Sequence, residues 1–556
     1  MLTPILSLQA TSFGIADWAV IAGYFVLVLA IGAWVGRRPM DDQGYFLGGR
    51  SMPVWAVALS VVATSLSAVT FIGAPQEAFV GDLSYLILNL GSFVAVVIVA
   101  ALFVPAFYRA NTLTIYGYLA KRFGEPARIA VSCVFLLGRL LASGARLFIA
   151  AVAISVLFFG FGDHSFGQLV AAICVLGLVG TVYTVCGGIK AVIWTDVLQI
   201  LVVIGAAVMS VVLLVRAIPL SVPEMIDALR QPVAMTGSGG EAATLQKLQV
   251  VHTPLDLSTP YTLWTGLFAV VFLNLAAYGT DHDLVQRMLT CKSALRGGLS
   301  VVLANVLGLG VVLLFMVIGL LLYLLSDPNI MGERAVQFTS SEKVYPQFLI
   351  SYLPPGLSGL AMAGLLAAAM GSLDSAINAM ASSLRADVYR PLRAALSSKP
   401  LAESSSRGSR WAVAIMGALL TAFAVFAAAI YDPKRDTLLG FALGVMSFAY
   451  AGMLGVFLTG LLTRRGNTIS IFAALIVGAL VVTAVQPTLL AWWSEAVFGE
   501  VWKVAWPWWM VFGTTASFVV CAAGPPSRKV RSLGAGDDDV ALSAREVRQV
   551  RATVDR

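Results

Sequence analysis

Apolar runs of about twenty residues recur along almost the whole chain, and that recurrence leaves few folds open. A helix needs about that length to cross hydrocarbon some 30 Å thick, and inside lipid the backbone finds hydrogen-bond partners only within the helix. About thirteen such runs are read, at 17–36, 53–80, 84–108, 128–158, 166–186, 189–215, 261–281, 297–325, 346–384, 411–431, 437–463, 467–489 and 503–523. The composition agrees: of 556 residues, 59% are hydrophobic and 12% charged, with a mean hydropathy of +0.88. No soluble domain is built this way. The expected class is an all-α polytopic membrane protein.

The net charge of +7 marks topology and a lipid bilayer, not a nucleic-acid partner, because the cations sit in short loops between apolar runs. Arg37, Arg38 and Arg50 follow the first run, Arg109, Lys121 and Arg122 the third, Lys190 the fifth, and Arg287, Lys292 and Arg296 the seventh. Arg385, Arg390 and Arg393 follow the ninth, Arg464 and Arg465 the eleventh, and Arg528, Lys529 and Arg531 lie in the tail. Every second loop is basic, which predicts an amino terminus outside and a carboxyl terminus in the cytoplasm, in the cell membrane. The first sixteen residues hold no Lys or Arg, so no signal-peptide n-region is expected. The five cysteines (Cys133, Cys174, Cys186, Cys291, Cys521) show no metal spacing and read as small buried hydrophobes. With three histidines, and no nucleophile paired with a base, an enzyme is not expected.

Polar groups inside the apolar runs carry the functional signal. In AAAMGSLDSAIN (367–378), helical pitch places Gly371, Asp374, Ser375, Asn378 and Ser382 on one stripe. A hydrogen-bonded helix seam accounts for the serines. It does not account for Asp374, since a carboxylate at this depth costs about 2.5–3.5 kcal/mol unless something pairs with it. At 1.5 Å per residue, Asp374 lies about 16 Å from its cytoplasmic helix end and Asp196 about 9 Å from Lys190. Two acids in the inner half of the membrane, with hydroxyls nearby, make an oxygen-rich site suited to a hard cation. The alternative for Asp196 is solvation at the interface.

The second run packs Ser60, Thr64, Ser65, Ser67 and Thr70 ahead of Gly73 and Pro75. Such residues permit a break that frees backbone carbonyls, and a matching break is expected in the seventh run at Asn274–Gly279. Two interrupted helices five runs apart fit an inverted five-plus-five repeat.

With these residues in view, the chain resembles the sodium:solute symporter family. The resemblance spans about residues 15–490 and rests on YFLGGRSMPVWAVALS (45–60), TIYGYLAKRF (114–123), GGIKAVIWTDVLQ (187–199), DLVQRML (283–289) and SLDSAINAMASSLRADVY (372–389). It implies a LeuT-like inverted-repeat core of ten helices, discontinuous at the first and sixth, preceded by one extra helix. It implies Na+ as the coupling ion, held by backbone oxygens of Ala63 and Leu66 with Ala368, Gly371 and Ser372. Relatives often carry serine where this chain has Gly371. A second sodium site of some relatives maps to Asp196, Asp374 and Ser375, and some have serine at the Asp374 position, so this version is more anionic. Solute contacts map to Ser65, Ser67, Val69, Thr70, Asn274 and Leu443, without the side chains of the hexose or proline carriers. GARLF (144–148) is shared with proline carriers; Arg146 and Arg139, deep in the fourth run, are rare intramembrane cations able to bind a solute carboxylate or to pair with an internal acid.

The reading that follows is a sodium-coupled symporter of a small organic solute, a carboxylate or amino-acid-like anion, working by alternating access. The alternatives are proton coupling, favoured by the acid pair, and a non-transporting solute sensor, for which the tail offers no room for a signalling domain. The expected organisation is an extracellular amino terminus and leading helix (1–52), a first repeat (53–216), an extracellular loop (217–260), a second repeat (261–463), two further helices (464–524) and a cytoplasmic tail (525–556).

Overall fold

A computed structural model describes residues 13–37, 41–159, 165–236, 242–338, 341–396, 406–430 and 438–526. Residues 527–556 of the expected tail lie outside the described residues, as do the side chains of Val69 and Leu443. The described chain is almost entirely helical. In order, the long elements are α1 (Ile15–Val35), α2 (Val54–Ser65), α3 (Ala68–Val80), α4 (Leu88–Ile98), α5 (Glu125–Phe159), α6 (Phe166–Ala217), α7 (Val270–Gly279), α8 (His282–Met288) and α9 (Ala294–Ser326). After these come α10 (Leu357–Ser383), α11 (Ser406–Ile430), α12 (Leu438–Leu462), α13 (Thr468–Ala484) and α14 (Trp506–Ala523).

Among the described residues, seven helices are long and apolar enough to span a membrane, or nine if each of two bent pairs forms one span. The thirteen runs are therefore not each one uninterrupted helix, for local reasons. The second run is split where Leu66 (φ −76°, ψ 135°) and Ser67 (φ −129°, ψ 170°) leave helical geometry between α2 and α3. The seventh is a short helix that ends at Gly279, so its break falls at Thr280–Asp281, just past the expected Asn274–Gly279. The fifth and sixth runs join in α6. At about 1.5 Å per residue its 52 residues would overshoot one bilayer more than twofold if straight.

Gly188 solves that length problem. Its φ of +57° and ψ of −156° fall in a region that only glycine adopts without strain. A Cβ there would also stand 2.5 Å from the Tyr45 carbonyl. The kink strips partners from the carbonyls before it, and the Tyr45 hydroxyl donates to two of them, Thr184 (3.1 Å) and Val185 (3.0 Å). Gly180 abuts Leu373 while Asp196 faces Gly371. Residues eight before and eight after the kink thus meet the same turn of α10, so α6 doubles back.

Every residue from Ala361 to Ser383 of α10 is buried, as expected for a helix apolar on most faces. It packs on α6, α5 and α1, and close approach depends on small residues. A Cβ on Gly359 would meet the Asp17 backbone at 2.6 Å, and one on Gly364 the Ala206 methyl at 3.1 Å. Cys133 and Cys174 face outward, against the expectation that the thiols are buried; Cys291 and Cys521 are buried.

The stretch read as a long external loop holds a short helix (Val222–Arg230) and an antiparallel ribbon pairing Val233 with Leu245. Lys247 pins it to the end of α3, donating to the carbonyls of Phe79 (2.6 Å), Val80 (3.2 Å) and Gly81 (2.9 Å). Those are carbonyls that a helix end leaves unpaired. The ammonium also sits 4.3 Å from the Tyr323 ring centroid, and burial pushes its pKa down to about 8.

Two outcomes are expected. Gly188→Ala costs about 1–3 kcal/mol in backbone strain alone and lowers the thermal unfolding temperature of the purified protein. The control Gly205→Ala, with nothing within 4 Å of the added methyl, does not. Lys247→Met leaves three helix-end carbonyls unpaired and speeds amide hydrogen exchange across residues 242–251, without a change in the rest of the chain.

Candidate cation and solute site

The two helix breaks lie on either side of a set of buried charges. Asp281 caps α8, accepting from the Asp283 amide at 2.9 Å, and one α-helical turn carries the chain from Asp283 to Arg287. Arg287 is fully buried, although its place after an apolar run marks it in the sequence as a loop cation beside Lys292 and Arg296, which are exposed. All five of its N–H donors are used. Nε donates to Ser60 Oγ (2.8 Å), and Nη1 to the Asp283 carbonyl (2.8 Å) and Oδ1 (3.0 Å). Nη2 donates to Asp196 Oδ2 (3.2 Å) and to Ser375 Oγ. The Ser60 hydroxyl in turn donates a hydrogen bond to Asp196 Oδ2 at 2.5 Å.

This arrangement sorts the predicted stripe on α10. Ser375 meets Arg287, Asn378 donates to Gln286 Oε1 (3.1 Å), and Ser382 meets His282 Nε2 (2.9 Å). That face is the helix seam. Gly371 and Asp374 face α6 instead. Asp374 Oδ2 accepts from the Tyr183 hydroxyl at 2.5 Å, and Oδ1 from the Ser375 amide at 2.6 Å. Asp196 is fully buried rather than solvated at an interface. The guanidinium of Arg287 joins Asp196 to Ser375, where sequence reasoning placed only an ion. The signal in DLVQRML was the arginine two residues past an apolar strip.

Arg139 and Arg146 divide the same way. Arg139, 3% exposed, donates to Asp281 Oδ2 at 2.9 Å and to Asp283 Oδ2, and Tyr450 donates to Asp281 from the other side. Arg139 therefore ties α5 and α12 to the break before α8. Arg146, two turns along α5, lines a cavity of about 300 Å³. Ser65, Thr70 and Asn274 share that wall, so four of the expected solute contacts are brought together. Ser67 is buried and not among the lining residues. Asn89, Ser92 and Tyr278, which the sequence reading passed over, complete a polar margin.

Of the expected ion ligands, Ala63 ends a helix whose continuation is broken at Ser67, so its carbonyl loses the amide four residues on. Leu66 lies in the break itself, and Ala368, Gly371 and Ser372 are buried opposite on α10. The Ser372 hydroxyl donates to the Ala369 carbonyl at 3.0 Å, within its own helix.

Comparison with known proteins fits this geometry. The chain is 25% identical over 484 residues to the sodium/sialic acid symporter SiaT of Proteus mirabilis, covering 86% of this chain and 91% of that one. It is 30% identical over 476 residues to sodium-coupled monocarboxylate transporter 1 of Mus musculus, covering 84% and 72%. A solved structure of a Na+-coupled sialic acid symporter in a substrate-bound outward-open state matches with a TM-score of 0.76 at 22% identity, over 93% of this chain and all of that one. The fold is thus the LeuT-like one, with discontinuous first and sixth core helices, and the protein is a transporter and not an enzyme. The family model of the sodium:solute symporters matches residues 45–478, and the chain belongs to that family.

Proposed function

We propose that the solute carried by this sodium-coupled symporter is a small organic anion with a carboxylate. The observation that carries the reading is the place of Arg146, on the cavity wall with Ser65, Thr70 and Asn274. A guanidinium presents a planar fork that matches a carboxylate in two parallel hydrogen bonds. The hydroxyls and the amide orient the remainder, with Ser67, Val69 and Leu443 as further contacts. The relatives named above carry sialic acid and monocarboxylates, both carboxylates.

The sodium ion sits, in this reading, where the break after α2 exposes the carbonyls of Ala63 and Leu66 to Ala368, Gly371 and Ser372. Asp196, Asp281 and Asp283 each contact an arginine. Asp374 forms no ion pair among the described residues. The buried Asp374 carboxylate is thus a surplus negative charge that a hard cation offsets. Because Arg287 already stands between Asp196 and Ser375, we take one sodium per cycle, with Asp374 strengthening the field at the ion. Binding couples to transport only if the ion prefers one of two states, and a ligand set split between α2 and α10 exists only while those helices are together. In this reading the amino terminus lies outside and the carboxyl terminus in the cytoplasm. On that orientation the pairs of Asp42 with Arg385 and Arg390, and of Asp387 with Arg128, close the cytoplasmic side.

The surplus charge also admits a proton in place of sodium, and vesicles separate the two. In proteoliposomes an inward sodium gradient is expected to drive accumulation of a small carboxylate, and a proton gradient without sodium is not; the reverse result establishes proton coupling. Arg146→Gln raises the half-saturating solute concentration by about tenfold or more and leaves the sodium dependence where it was. Asp374→Ala acts oppositely, raising the sodium concentration for half-maximal uptake; an unchanged sodium dependence removes Asp374 from the site.

A further inference from the structure

Where the third apolar run ends, a second hollow opens away from the ion and solute site. Its volume is about 340 Å³, and Arg109, Lys121 and Arg122 share its wall with Tyr118, Ala106 and Leu461. No acid lines it among the described residues. Three elements build it. The helix Val104–Ala110 continues the third run and carries Arg109 in its last turn. Asn111, at φ +45°, ends that helix. The next helix, Tyr116–Phe123, presents Tyr118, Lys121 and Arg122 at spacings of three and four, hence on one face. The end of α12 closes the hollow. The Tyr118 hydroxyl donates to the Gly460 carbonyl at 2.7 Å and Arg122 Nη2 to the Thr463 carbonyl at 2.9 Å, so the cationic face is held against the backbone there.

Topology explains why cations stand in this loop, and it asks only for solvent around them. It does not explain why three converge on one concavity, where like charges repel. On the same side of the protein Arg128, Arg385 and Arg390 each meet an aspartate. Arg109 and Lys121 are exposed and form no ion pair among the described residues. A bound anion removes the repulsion, and the flanks of the hollow indicate which one. Leu102, four residues before Ala106, is 44% exposed, and Leu462, beside Leu461, is 59% exposed. Leucines placed so are covered by lipid tails.

A ligand with a phosphate in the hollow and hydrocarbon along these leucines satisfies both features. We infer that the hollow binds the phosphate headgroup of an anionic phospholipid, in the cytoplasmic leaflet on the orientation given above. Basic pockets at helix ends suit such headgroups, and a guanidinium fork matches two phosphate oxygens. The site stands apart from the sodium and solute readings and does not depend on either.

The full chain, purified in a neutral detergent, is titrated with dioleoylphosphatidylglycerol, with dioleoylphosphatidylcholine or with inorganic phosphate, and the first bound lipid is followed by native mass spectrometry. Phosphatidylglycerol is expected to bind at least about fivefold more tightly than phosphatidylcholine, and inorganic phosphate is expected not to displace it. Arg109→Gln and Lys121→Gln each weaken phosphatidylglycerol binding about fivefold, the scale of one surface cation acting on an anionic lipid. Lys121→Arg, which keeps the charge, does not. Arg122 is left intact because it also bonds the chain just past α12. Lys292→Gln and Arg296→Gln remove the same charge from exposed positions in another loop and leave binding where it was.

Equal affinity for the two lipids overturns the inference. So does equal weakening by the Lys292 and Arg296 variants, which makes the attraction a property of net charge and not of the hollow. Displacement of phosphatidylglycerol by inorganic phosphate assigns the hollow to a free anion and overturns the lipid assignment.

Discussion

Five N–H donors of one arginine, none in contact with solvent, hold the centre of this protein together. Arg287 reaches Ser60 on α2, Asp196 on α6, Asp283 on its own helix and Ser375 on α10. Removing one partner of such a buried pair typically costs about 3–5 kcal/mol, because the other charge is left without compensation. The arginine therefore fixes which helices must stay adjacent for the site to exist. It also leaves Asp196 with one oxygen bonded and the other without a hydrogen-bond partner among the described residues.

The breaks supply what side chains alone do not. A continuous helix spends its carbonyls on its own amides, and in lipid no water replaces a lost partner. Interrupting α2 at Leu66–Ser67 and the seventh run at Thr280–Asp281 exposes backbone oxygen and amide groups only where other helices surround them. Asp281 and Arg139 stabilise the second break. Thr64 and Ser375, 3.1 Å apart, link the last turn of α2 to α10. The position of Arg146 two turns from Arg139 makes one cation structural and leaves the other at the cavity. A single helix thereby holds one cation in the packing and sets another on the cavity wall.

The hydroxyl-rich second run, ending in Gly73 and Pro75, announced an interruption, and the interruption is there. In the sequence Gly188 marks a gap between two apolar runs and belongs to the GGIKAVIWTDVLQ motif; its positive φ makes it the hinge on which α6 doubles back. Asp374 stood out because an acid in an apolar run has no local partner, while the seam of Asn378 and Ser382 with α8 was an alternative that sequence could not rank. Arg287 was misread as a loop cation because charge near the end of an apolar run looks the same whether it faces lipid headgroups or a buried acid.

The sequence by itself determined the class of protein, the long helical runs, the break at the second run and the presence of intramembrane charges. All of these follow from local hydrogen bonding and from the cost of charge in lipid, which act over a few residues. Only the tertiary structure decided which charge meets which. Asp196 and Arg287 are 91 positions apart, and Tyr183 and Asp374 are 191 apart. At those separations the pairing depends on how helices pack and where they bend, and no spacing along the chain encodes it.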